Sequence, residues 1–136
     1  FGEPIVNISN LDPSLRIKLQ IGTSNSEPAV GMNTALDWFL GNGDFSRVAG
    51  IIGGFHSAVT APISSNAAVF EVPHVAWGAT SPTLSNKGLH PYFLRTVPPD
   101  SIQGGAMWSW MLHFGVPSTG FFYTRESYGE GLFQTV

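Results

Sequence analysis

Val48-Ala49-Gly50-Ile51-Ile52 is a short, continuous apolar run closed by Gly53-Gly54. Such a run, bounded by glycine and too brief for an ordinary helix, suits a parallel strand buried on both faces. Downstream, strand, turn and helix alternate. Gly53 to Ser57 reads as a turn, and Val59, Ile63, Ala67 and Phe70 are spaced for one helix face. Val72 to Trp77 follows as a strand, Gly78 to Ser81 as its turn, and Tyr92 to Val97 as another strand. Asp100 is placed to cap a helix in which Ile102, Ala106, Met107, Trp110, Met111 and Phe114 fall on one stripe, ended by Gly115 and Pro117. Thr119 to Thr124 predicts a further strand, and Gly129 to Phe133 opens a last helix.

Upstream, Arg16 to Ile21 alternates polar with apolar, the period-two pattern of a half-buried strand, and Gly22 to Gly31 reads as a loop. Asn33 is a suitable cap for a helix carrying Ala35, Leu36, Trp38, Phe39 and Leu40, stopped by Gly41-Asn42-Gly43. Strands alternating with helices imply parallel pairing, hence an α/β fold: a three-layer sandwich around a mostly parallel sheet. There is no internal repeat and no low-complexity tract.

Composition narrows the function. The 136 residues are 43% hydrophobic, as in an ordinary globular domain. Six Lys and Arg stand against nine Asp and Glu, with no basic cluster, which argues against nucleic acid as a partner. Charged residues make up 11%, below the usual quarter or so, so part of the surface is expected to pack against other protein. No apolar stretch reaches the roughly 20 residues that span a bilayer. Phe1 and Val136 both read as interior to a longer chain. Without cysteine, thiol catalysis, thiolate metal sites and disulfides are all excluded.

In open α/β sheets, ligands bind beyond the carboxyl ends of the strands. Those turns are polar here: Gly53-Gly54-Phe55-His56-Ser57, Gly78-Ala79-Thr80-Ser81, Pro98-Pro99-Asp100 and Arg125-Glu126-Ser127-Tyr128-Gly129. Free amides at a helix start favour an anion, and Asp100 favours a cation, which together describe a zwitterion such as a free amino acid. Ser57, Thr80 and Asp100 are also favoured helix caps that need no ligand. Gly53-Gly54 lacks the third glycine of a dinucleotide fingerprint and the Lys of a phosphate loop. His56, His74, His90 and His113 show no metal-ligand spacing, so no metal and no cofactor are expected. A Ser57, His56, Asp100 triad lacks a nucleophile-elbow sequence, so no catalytic residue is assigned. Trp108 and Trp110 are expected in helix packing.

Five separated segments in fixed register carry a resemblance. Val48 to Gly54, Val72 to Ser81, Leu84-Ser85-Asn86-Lys87, Tyr92 to Asp100 and Tyr128-Gly129-Glu130 resemble the ligand-binding region of class C G-protein-coupled receptors. The metabotropic glutamate receptors are most similar, while Gly78 to Asn86 is more like the metabotropic GABA receptor. The resemblance runs from about Leu15 to the end, and from Gly53 to Glu130 it needs no insertion or deletion. It implies a Venus flytrap module built like a periplasmic binding protein, with residues 1–117 in lobe one and 118–136 opening lobe two. It also implies an amino-acid-like ligand held by Ser57, Gly78, Ala79, Thr80 and Asp100, with Tyr128 closing from lobe two. Gly78 stands where the glutamate branch has serine, and Pro62 lies within the helix after Ser57.

The function so implied is a non-enzymatic extracellular sensor, dimeric through lobe one, attached to a membrane only through segments outside this chain. Two alternatives share the fold: a structural or adhesion subunit without ligand, and a soluble solute-binding protein serving a transporter.

Overall fold

The computed structural model describes residues 17–43 and 45–136. In chain order its elements are α1 (Pro28–Leu40), β1 (Ile51–Ile52), α2 (Ser57–Val69), β2 (His74–Ala76), a 3-10 turn (Pro82–Ser85), β3 (Phe93–Arg95), α3 (Asp100–His113) and α4 (Ser127–Phe133). The strands form one parallel sheet in the order β1-β2-β3, with Ile51 opposite His74 and Val75 opposite Leu94. The α/β class and the parallel pairing expected from the alternation are therefore present. All strand ends point one way, so the turns after β1, β2 and β3 gather at one sheet edge.

Helices α1 and α2 cover one face of this sheet. Ala35 and Phe39 of α1 and Val59, Ile63 and Ala67 of α2 close over Ile51 and Val72. Gly31 makes the helix contact possible, since a Cβ there would lie 2.8 Å from Val59 Cγ1. Phe39 stacks on Phe70 at 5.0 Å, sealing the far end. A second cluster of Ala76, Ala79, Leu84 and Phe93 sits beneath the turn after β2.

Several local expectations are corrected. Helix α1 starts at Pro28, ahead of Asn33, because proline's fixed φ suits a first helical position. It stops at Gly41 as expected, in the left-handed region at φ +72°. Helix α2 begins at Ser57, so Ser57 is its first residue and His56 its cap, and the helix continues through Pro62. Proline there removes one helical N–H; the buried stripe of Val59, Thr60, Ile63, Ser64 and Ala67 holds the helix together regardless. Likewise Asp100 is the first residue of α3, capped by Pro99.

Of the Arg16 to Ile21 strand, Arg16 lies outside the described residues, and residues 17–21 pair with no strand among those described. They are tied to the segment before β1 by Gln20 Nε2 donating to the Ser46 carbonyl at 2.7 Å. Thr119 to Thr124 also finds no ladder partner among the described residues.

The expectation of burial on both faces also fails locally, since Ile52 is 85% exposed and the described residues place α1 and α2 on the opposite face. Helix α3 buries only Asp100 and Gly104. Its apolar stripe, including Ile102 and Phe114, faces outward with Trp108 and Trp110, and Trp110 packs against Phe114 at 4.8 Å. Hydrophobic spacing located the stripe; no described element lies opposite it.

Candidate ligand-binding site

The turn after β1 is built by glycine. Gly54 has φ +88°, and a Cβ on it would meet Thr60 Oγ1 at 2.3 Å. Only glycine lets the chain turn this closely onto the first turn of α2. There the Val59 and Thr60 amides reach back to the His56 carbonyl, at 3.1 and 2.9 Å. The amides of Ser57 and Ala58 stand ahead of them, where a helix leaves N–H groups without an internal partner.

Ser57 is buried, and its Oγ accepts the Ser81 N–H at 3.1 Å. This bond ties the start of α2 to the turn after β2 and leaves the hydroxyl proton free to donate. The same turn is fixed from below by Arg95, whose Nη1 donates to the carbonyls of Ser81 at 2.9 Å and Ala79 at 3.3 Å. A third Arg95 bond goes to Ser85 Oγ. From α3, the Asp100 amide donates to the Thr80 carbonyl at 2.9 Å.

The facing wall comes from residues 124–128. Glu126 caps α4, accepting the Tyr128 and Gly129 amides and the Thr124 hydroxyl, each at 2.8 Å. Burial alone would raise its pKa; those three donors and the facing His56 overcome it and hold the carboxyl below the usual range. Glycines bring this wall close. A Cβ on Gly129 would meet the Thr124 carbonyl at 2.1 Å, and one on Gly131 would meet Pro82 Cδ at 2.8 Å.

Between the two walls lies a cleft of about 650 Å³. Ser57, Gly78, Thr80 and Tyr128, four of the six residues singled out from sequence, line it together. The other two do not. Ala79 is fully buried, supplying its carbonyl to Arg95. Asp100 is also fully buried under Thr80, and neither carboxylate oxygen has a hydrogen-bond partner of good geometry. Burial pushes the Asp100 pKa up, against the pull of the nearby Thr80 hydroxyl and Arg95 charge. Asp100 is thus a group under the cleft floor, kept from its surface by the turn it supports.

The triad fails on geometry, since the Ser57 hydroxyl meets the Ser81 amide and the Asp100 carboxylate meets no histidine. Among the described residues, no three of His, Asp and Glu gather as a metal site requires.

The family model described as the receptor family ligand binding region matches residues 3–136. The chain belongs to this family. Taste receptor type 1 member 3 of Felis catus is 32% identical over 133 residues, covering 83% of this chain. The chain spans 15% of the length of that relative. The class C receptor resemblance carried by the strand-end motifs is therefore shared by nearly the whole chain.

In this receptor ligand-binding region, Phe55, Gln103, Thr124 and Glu126 also line the cleft, with His56. None of these five is among the residues that the class C receptor resemblance assigns to the ligand. Phe55 and His56 lie in the turn before Ser57, and Glu126 in the turn before Tyr128, so strand-end position was the available signal. Gln103 carried none, being one polar residue on an exposed helix face.

Proposed function

We propose that this chain contributes the amino-acid-binding cleft of an extracellular, non-enzymatic receptor sensor. The observation that carries the proposal is that Ser57, Gly78, Thr80 and Tyr128, drawn from three separate turns, line one cleft. A ligand carboxylate fits at the start of α2, where the free Ser57 and Ala58 amides, the Ser57 hydroxyl proton and the helix dipole favour negative charge. The ammonium group fits beside Thr80, with the negative charge of Glu126 across the cleft and the Asp100 carboxyl under the floor. Tyr128 covers the ligand from the opposite wall.

In this proposal, residues 1–117 form the first lobe and 118–136 begin the second. A ligand that touches both walls binds the closed form better than the open one, and that difference in affinity shifts the population toward closure. Closure is then passed on through a dimer contact between first lobes. The relative's printed name, a taste receptor, is consistent with a sensor of small soluble molecules.

Calorimetric titration of the intact protein with a panel of free amino acids tests the proposal. Binding is expected, weakened by about tenfold in Thr80→Ala, the loss that goes with one hydrogen bond to a charged group. A flat response to the whole panel would instead support a structural protein that keeps the fold without the ligand.

A further inference from the structure

The turn after β2 and the turn after β1 are fitted to each other through an aromatic ring. A Cβ on Gly78 would fall 2.4 Å from Phe55 Cδ2 and 3.0 Å from Cε2, so the ring lies directly on the Gly78 backbone. Trp77 flanks the same ring at 5.1 Å, tilted by 43°, and His56 meets it edge-on at 5.0 Å. Three neighbours therefore fix the ring in place. Even so, Phe55 is 54% exposed and lines the cleft. A fixed apolar surface inside a cleft is the kind of wall that gains most from contact with another apolar group.

Charge in the cleft points the same way. Among the described residues no Lys or Arg lines it, and the one lining carboxylate, that of Glu126, is held below the usual range. An acidic ligand side chain would face the like charge of Glu126 with no Lys or Arg among the described lining residues to balance it. A basic side chain would compete with the ligand's own ammonium group for the single Glu126 charge, whose oxygens Thr124, Tyr128 and Gly129 already share. An apolar side chain meets no such conflict, and the ring of Tyr128 stands on the opposite wall as a second surface.

From this we infer that Phe55 sets the ligand class: the cleft selects an amino acid whose apolar side chain lies on the exposed part of the Phe55 ring, which the bare Gly78 backbone seats in the wall. The inference rests on the amino-acid reading above. Phe55 is on this view a specificity residue, while the start of α2 and Thr80 bind the part common to all amino acids.

The test is calorimetry on the intact protein with L-leucine, L-phenylalanine, glycine, L-glutamate and L-lysine. Leucine and phenylalanine are expected to bind about tenfold more tightly than glycine, the gain for burying an apolar side chain of that size. Phe55→Ala should erase that preference, weakening leucine and phenylalanine far more than glycine, whereas Phe55→Leu should retain most of it. Gly78→Ser, which drives a Cβ into the ring, should weaken leucine binding in the native background and have little effect in Phe55→Ala. Tightest binding of glutamate or lysine overturns the inference and leaves the amino-acid reading standing, as does an equal loss for glycine and leucine in Phe55→Ala. Failure of all five to bind overturns both.

Discussion

The Asp100 amide donates to the Thr80 carbonyl at 2.9 Å, while the Asp100 carboxylate beneath that turn has no hydrogen-bond partner of good geometry among the described residues. One residue thus supports the cleft floor with its backbone and carries an unsatisfied charge in its side chain. A buried acceptor left in this state costs stability, and more so when it is ionised.

The cost has a defined pH dependence. The folded pKa of Asp100 lies above the ordinary value of 3.8, so the penalty is present in full above the folded pKa. It fades as pH falls through that pKa, because the folded state takes up the proton first. Asp100→Asn should therefore be more stable than the native protein at pH 7, by on the order of 1 kcal/mol. The gap should narrow in acid. Urea denaturation of the ligand-free protein at pH 7 and pH 4 checks this, and an Asn variant less stable at both would contradict it.

Ser57 and Thr80 line the same cleft but should respond differently to truncation. Ser57→Ala leaves the buried Ser81 amide without an acceptor, an expected loss of about 1–3 kcal/mol. Thr80 is half-buried and its hydroxyl only partly offsets the burial of the Asp100 carboxyl, so Thr80→Ala should lower the thermal midpoint less than Ser57→Ala does while weakening the ligand. Differential scanning calorimetry separates the two, and equal midpoint shifts would show that the Ser57 bond does not hold the turn.

Gly129 fixes the far wall. Gly129→Ala forces a Cβ toward the Thr124 carbonyl and should destabilise the wall by about 1–3 kcal/mol, as overpacking does. Gly105→Ala is the control, because nothing lies within 4 Å of its Cβ position and alanine favours a helix interior. Hydrogen exchange across residues 124–133 should rise in the first variant alone. Unchanged protection there would mean that the wall tolerates the extra methyl.

The parts of the fold that were legible in the sequence are those set by local chemistry. The apolar run at Ile51-Ile52, the glycine stop at Gly41 and the helical spacing of Val59, Ile63 and Ala67 each concern residues close together in the chain. The residues 17–21 carry an equally clear strand pattern, yet they form no ladder among the described residues, since a strand exists only where another backbone accepts its hydrogen bonds. The stripe on α3 is also genuine, yet Trp110 and Phe114 point outward, because periodicity names a face without naming its neighbour.

For the site, the sequence by itself determined that polar and glycine-rich turns follow each strand, and parallel pairing brings such turns to one edge. Tertiary structure decided which side chains reach the cleft. Asp100 goes under the floor because its amide is drawn to the Thr80 carbonyl, and Phe55 enters the wall because Gly78 leaves room for its ring. Both outcomes depend on contacts between segments more than 19 residues apart, as Thr80 to Asp100 and Phe55 to Gly78 are. Those contacts are fixed by sterics and burial in three dimensions, which local sequence pattern does not encode.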